Sequence, residues 1–184
     1  MCKPASGILT KDAVFFSEIG DSHEQVIDEH KLNADGARGP NIVRFEITPP
    51  DGNYSLPLDQ WVYRVDQDVM PEWYDAARDK PRALAMLPAW AAAHIVDSGE
   101  HKCGAGRSLV AIGTARVVQS GGECRAHGSA QVTQSGGECW AYDTAQVTLA
   151  GGVCRAYGRA QVTQSGGECR AYDNAEIIKA KGDL

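Results

Sequence analysis

The sequence predicts a small acidic α+β domain over residues 1–100, followed over 101–184 by an all-β solenoid, a β-helix of about five 15-residue coils. Three observations carry this. One 15-residue phrase recurs at 120–134 (SGGECRAHGSAQVTQ), 135–149, 150–164 and 165–179, with a degenerate copy at 105–119 that has Leu109 in the cysteine position. So short and strict a period marks a stack in which each unit is one rung, unable to bury its apolar side chains alone. Within each unit small apolar residues alternate with polar ones, as strands do. The first hundred residues show no period, and their strand-like runs precede helix-like ones, the order of an α+β unit.

Taken in order, the run 8–16 (ILTKDAVFF) has the β-branched and aromatic content of a strand and ends in a turn at Ile19-Gly20-Asp21. Ser22 or Asp21 caps a helix running to Lys31 or Leu32, with Val26, Ile27 and His30 on one face. A glycine-rich break at 35–40 precedes a strand at 42–48, where Val43, Phe45 and Ile47 alternate. Pro49-Pro50-Asp51-Gly52-Asn53 is a turn, 61–65 a further strand, and a helix is expected to begin at 70–74. Pro81 starts or kinks a second helix whose apolar stripe is Leu84, Met86, Leu87, Trp90, Ala91 and Ile95. Trp61, Trp73, Trp90, Phe15, Phe16 and Phe45 are the large candidates for the core.

Charge divides the chain. The formal net charge is -6, but residues 1–100 hold nine Lys/Arg against seventeen Asp/Glu, and 101–184 hold nine against seven. An acidic half argues against general nucleic-acid binding, which rests on neutralising phosphates with Lys and Arg, and favours a partner that is itself basic. No apolar run long enough to span a membrane and no basic-then-apolar leader is evident, so a cytoplasmic protein is expected. Four of the six cysteines fall in register at 124, 139, 154 and 169. In-register cysteines read as a buried ladder of small apolar side chains in a reducing setting, not as a disulfide framework.

Residues with chemical potential lie mostly in the first half. His23, Glu24, Asp28, Glu29 and His30 are close in sequence, and an enzyme or metal site around His23, Glu24 and His30 is one reading. The two histidines, seven apart, stand about 10 Å apart along a helix, so one metal would need a carboxylate between them. A solvated helix face is the other reading. Asp66, Asp68, Glu72 and Asp75 form a second acidic cluster, without the glycine and closing glutamate of an EF-hand.

In the repeats, the columns Cys124/Ala126/Ala130/Val132 and their copies point inward, and their small size makes the interior narrow. Gly, Asp and Asn recur at one corner, and Ser-Gly-Gly makes the other. Arg125, Trp140, Arg155 and Arg170 form one outward ladder, preceded on the same face by Glu123, Glu138, Val153 and Glu168. His127, Tyr142, Tyr157 and Tyr172 form another, and Gln131, Gln146, Gln161 and Glu176 a third. Such ladders stabilise a rod, and aromatic and Arg side chains on a rigid surface are also what protein-binding hot spots use. Thr133, Thr148 and Thr163 raise an ice-binding reading, with Gln119, Gln134, Leu149 and Gln164 as their partner column. The tail 179–184 is a candidate partial cap or dimer seam at the open end.

The phrase Cys-Arg-Ala-Tyr-(Gly/Asp)-x-Ala-x-Val, with 41–47, 61–68 and Pro71-Glu72-Trp73-Tyr74, resembles uncharacterised bacterial and phage proteins in which a short N-terminal domain precedes a β-solenoid. The likeness to pentapeptide-repeat proteins is looser, because the central Leu or Phe of every fifth residue is missing. The resemblance implies a non-enzymatic binding module of phage type that needs no cofactor. Its partner would be a host protein or complex, as for an inhibitor of nucleic-acid-handling or defence machinery such as CRISPR complexes. Asp66, Asp68, Glu72, Asp75 and the ladders Arg125, Trp140, Arg155, Arg170, Tyr142, Tyr157 and Tyr172 are the candidate contacts, with the solenoid as scaffold or homodimerisation rod. Pure structural assembly is the third alternative, beside the enzyme.

Overall fold

The computed structural model describes residues 5–36 and 39–180, which divide into two compact units, Met1–Ala93 and His94–Leu184. Ala37, Arg38 and the last four residues of the expected tail cap lie outside the described residues.

In the first unit the run expected as one strand is a hairpin, β1 (Ser6–Leu9) and β2 (Val14–Phe16). Thr10 breaks it: its N–H donates to the Ala13 carbonyl at 2.9 Å and its Oγ1 accepts from Ala13 N at 3.0 Å. Helix α1 (His23–His30) starts at Ser22, whose Oγ accepts from Gln25 N at 3.1 Å, and ends at Lys31 in the left-handed region, φ 52. Two short strands, β3 (Asp35–Gly36) and β4 (Gly39–Pro40), occupy the glycine-rich break. β5 (Val43–Thr48) buries Val43, Phe45 and Ile47 as the alternation requires, and β6 (Val62–Val65) completes an antiparallel sheet of order β2-β1-β5-β6.

No helix begins at Met70; Pro71 to Tyr74 is turn, and one helix, α2 (Ala76–His94), runs through both Pro81 and Pro88. Its start is fixed by a reciprocal pair of carboxylates. Asp75 Oδ1 accepts from Ala77 N at 2.9 Å, and Asp79 Oδ2 accepts from Asp75 N at 3.0 Å. The buried stripe is Ala83, Leu87, Trp90 and His94. Met86, expected inside, is exposed, and Ile95 belongs to the first strand of the next unit. The Phe45 ring meets Phe16 edge-on and stacks on Tyr63, both at 5.4 Å, while Trp90 lies 6.2 Å from Trp61.

The second unit is a β-solenoid of six rungs, one more than the repeats predict. Rung 1 is β7 (Ile95–Val96) and β8 (Glu100–Cys103); rung 2, β9 (Ser108–Ala111) and β10 (Arg116–Gln119). Rung 3 is β11 (Glu123–Ala126) and β12 (Gln131–Gln134); rung 4, β13 (Glu138–Ala141) and β14 (Gln146–Leu149). Rung 5 is β15 (Val153–Ala156) and β16 (Gln161–Gln164); rung 6, β17 (Glu168–Ala171) and β18 (Glu176–Lys179). The odd-numbered strands from β7 form one parallel six-stranded sheet and the even-numbered strands from β8 the other. The first rung escapes the period through two offsetting length changes. Three residues, 97–99, turn its first corner where the next rung uses 112–115, and four, 104–107, turn its second where the next uses 120–122.

Cys124, Cys139 and Cys154, with the Ala and Val columns, make one continuous core, and all five described cysteines are free thiols. At the Ser-Gly-Gly corner the two glycines are needed for different reasons. A Cβ on Gly136 would lie 2.6 Å from the Ser120 carbonyl oxygen of the preceding rung, whereas Gly137 has φ +75.

Gln119, Gln134, Leu149 and Gln164 are also inside, not on the threonine face where the ice-binding reading put them. Each strand alternates out, in, out, in, so the residue after the outward Thr returns to the core. The glutamine NH2 groups donate at the glycine corners: Gln134 Nε2 to the Gly137 and Val153 carbonyls, both at 3.0 Å, and Gln119 Nε2 to Gly122 (3.1 Å) and Glu138 (2.8 Å). In rung 1 Cys103 takes this place, its thiol donating to Arg107 and Glu123 carbonyls at 3.5 and 3.3 Å, one rung below the carbonyls that Gln119 uses. The true neighbours of the threonines on the exposed face are Gln131, Gln146 and Gln161. Among the described residues no helix is long and apolar enough to cross a membrane.

Candidate recognition surface

The column one residue beyond each first strand projects outward at the Gly/Asp corner, where rungs stack at roughly 4.8 Å, the parallel-strand spacing. Aromatic rings at that pitch lie face to face. His127 and Tyr142 are 4.6 Å apart, Tyr142 and Tyr157 5.2 Å, and Tyr157 and Tyr172 4.7 Å, with interplanar angles of 12°, 12° and 9°. The corner that holds them is set by Gly128, Asp143, Gly158 and Asp173, all at positive φ. Where Asp replaces Gly, its carboxylate accepts from the backbone one rung back: Asp143 Oδ2 from Gly128 N at 3.0 Å, and Asp173 Oδ2 from Gly158 N at 3.3 Å. Asp thus serves both as a tolerated left-handed residue and as a rung-to-rung clasp.

Beside the rings runs the Arg/Trp column. Trp140 is clasped between the guanidinium groups of Arg125 and Arg155, each 5.5 Å from its ring centroid. Arg155 also donates to Glu138 of the preceding rung at 2.9 Å, and Arg170 pairs with Glu168 of its own strand at 2.9 Å. Exposure rises along the column: Trp140 and Arg125 are buried, Arg155 is half-buried, and the Arg170 side chain is 66% exposed. Tyr172 is likewise exposed. Exposure is greatest at the C-terminal end of the predicted ladders, at Arg170 and Tyr172, with Arg155 and Tyr157 beside them partly buried. At the other end His127 is held neutral: burial pushes its pKa down to about 4, against the opposing pull of the Asp143 carboxylate.

In the first unit the acidic cluster is exposed at Asp66, Asp68, Glu72 and Asp75. Two of its members have structural duties: Asp75 caps α2, and Asp66 Oδ2 lies 3.5 Å from Nδ1 of the buried His23. The expected trio of His23, Glu24 and His30 is not assembled. His23 Nε2 bonds the Phe45 carbonyl at 2.9 Å, and His30 Nε2 bonds the Phe16 carbonyl at 3.2 Å with its ring on Phe15. Glu24 reaches Arg44 at 3.6 Å. Among the described residues no group of three or more His, Cys, Asp or Glu is arranged to hold a metal ion.

Sequence reasoning passed over Asp79, wholly buried with Arg78 and Arg82 each at 2.8 Å. The bond from Arg78, helped by the Asp75 amide and Arg82, holds its carboxyl well below the usual range. The signal was present as Arg-Asp at 78–79 with Arg82 one helical turn on. No family model matches the chain, and no curated protein or solved structure matches it either.

Proposed function

We propose that the protein is a binding module that recognises a macromolecular partner through the outward ladders of the later rungs, with Arg155, Tyr157, Arg170 and Tyr172 as the contact set. The observation that carries this reading is the ring stack. Tyr157 is held between the Tyr142 and Tyr172 rings, and Tyr172 lies flat on Tyr157, so contact area is presented with less rotamer entropy left to lose on binding. Arg side chains placed beside Tyr supply the pairing and stacking chemistry that hot spots use. The acidic first half, nine Lys/Arg against seventeen Asp/Glu over residues 1–100, favours a basic partner surface, with Asp66, Asp68 and Glu72 as a second contact set. The finer reading, an inhibitor of phage type acting on a host nucleic-acid-handling or defence complex, is supported by the resemblance of the repeat phrase and of the segment from Asn41 to Tyr74.

The test uses the full chain as bait in lysate of its own host, with bound proteins identified by mass spectrometry. Tyr157→Ala with Arg170→Glu should lose the captured partner while the far-ultraviolet spectrum is unchanged. Capture that survives this variant but is lost on charge reversal at Asp68 and Glu72 would move the site to the first unit. Asp66 and Asp75 are left intact because one neighbours buried His23 and the other caps α2. Capture unaffected by either variant overturns the reading.

A further inference from the structure

The last rung differs from those beneath it. In rungs 3 to 5 the inward Cys, Ala and Val columns are at most 2% exposed, whereas Cys169, Ala175 and Ile177 of rung 6 are only partly buried and Ile178 is 51% exposed. β17 and β18 are the end strands of their sheets. Their backbone phase is fixed by the bonds they make backwards: Glu168 N to Gly152 O (2.9 Å), Tyr172 N to Ala156 O (2.8 Å), Glu176 N to Ala160 O (2.9 Å) and Ala180 N to Gln164 O (2.8 Å). In a parallel ladder a residue turns its N–H and C=O to the same side, and successive residues alternate sides. Cys169, Ala171, Ile177 and Lys179 therefore aim their backbone groups away from the stack, a template for another strand.

We propose that this end is a homodimer interface, in which β17 and β18 pair antiparallel with the same strands of a second copy about a two-fold axis passing close to Cys169 and Ile177. Three features fit a second copy of this chain. Cys169 lies three residues before, and Ile177 two residues after, the corner turn that Ala175 N closes on the Tyr172 carbonyl, so one axis can pass close to both. Each is a residue whose N–H and C=O face outward, so beside that axis it exchanges both backbone bonds with its own counterpart, as hydrogen-bonded antiparallel pairs do. The same register sets Glu168 opposite Arg170 of the other copy, and Arg170 opposite its Glu168. Within one chain these two side chains close on each other, with Arg170 Nε and one terminal nitrogen at 3.2 and 2.9 Å from Glu168 Oε1. Deeper in the stack the same columns bridge between rungs, as Arg155 does to Glu138. The edge is thus self-complementary in backbone phase, at the Cys169 and Ile177 positions and, along β17, in charge. In this register Tyr172 lies opposite Gly166 of the other copy, so the two ring ladders stand at opposite corners of the dimer.

Sedimentation velocity of the full chain over a dilution series tests this without any partner, so it can fail independently of the recognition reading. The wild type is expected to be a dimer. Glu168→Arg and Arg170→Glu should each weaken it by at least about tenfold, because opposed pairs become like-charged. An equal mixture of the two variants should restore the dimer, since each then supplies the charge the other lacks. Ile177→Pro removes an N–H that makes no bond to rung 5, so it should abolish dimerisation while leaving the unfolding temperature of the diluted protein near that of the wild type. A wild type that stays monomeric, a mixture that fails to reassociate, or growth beyond a dimer by head-to-tail stacking each overturns the proposal.

Discussion

The two units bury polar groups in opposite ways. The solenoid interior holds neutral amides: Gln119, Gln134 and Gln164 donate to glycine carbonyls, two of which also accept a backbone bond, Gly122 O from Glu138 N and Gly137 O from Val153 N. In the same column Leu149 stands with no polar atom at all, so the fold itself shows that an apolar side chain fits there. The first unit buries a charge: Asp79 ties together Arg78, Arg82 and the amide of Asp75 at the start of α2. A repeated neutral bond is replaceable rung by rung. A single ionic knot is not, because removing one member strands the others.

The largest expected effect follows from that knot. Asp79→Ala leaves two arginines without their carboxylate and should cost about 3–5 kcal/mol. Hydrogen exchange should show β5 and α2 losing protection while rungs 3 to 5 keep theirs; loss in both would mean that the units are not separately stabilised. Gly137→Ala attacks the solenoid instead. It forces an alanine to φ +75 with its Cβ 2.4 Å from Gly122 O, and about 3 kcal/mol of destabilisation is expected in thermal unfolding.

Acid separates the units again. His127 has a folded pKa of about 4 against an ordinary 6.5, so the unfolded chain takes up its proton first. The contribution is whole above about pH 6.5 and is lost as pH falls toward about 4, by at most about 3 kcal/mol. Denaturant titrations at several pH values should show this slope, and His127→Gln should remove it. Asp79, whose pKa is depressed, adds its own loss only at lower pH, below the usual carboxylate range. The smallest effect sharpens the contrast: Gln134→Leu should change stability by less than about 1 kcal/mol, since it copies Leu149 and removes an Oε1 for which no hydrogen bond is seen.

The same contrast explains what could be read from sequence. The Cys, Ala and Val columns were legible because repetition turns a weak local pattern into a strong one, and the Tyr and Arg columns because they share that register. Gln134 was misplaced because its type reads as surface, although alternation continued through Val132 and Thr133 puts it inside. Rung 1 was missed because a residue lost at one corner and gained at the next breaks the spacing, leaving Cys103 16 residues, not 15, before Gln119. In the first unit nothing repeats, so one Thr10 side chain could split a strand and one Asp79 could start a helix without advertising either. Of the candidate surface, its columns were visible but their burial was not: Trp140 looks exposed in a period-two reading, yet two arginines enclose it.

The register of the stack is the claim on which the ladders, the corner glycines and the open end all depend, since a one-residue slip would turn every side chain to the opposite face. Side-chain amide exchange measured by NMR reads it directly, because glutamines occupy both faces. The Nε2 protons of Gln119, Gln134 and Gln164 should exchange slowly and those of Gln131, Gln146 and Gln161 at solvent-exposed rates; equal rates, or the reverse order, would contradict the structure's register.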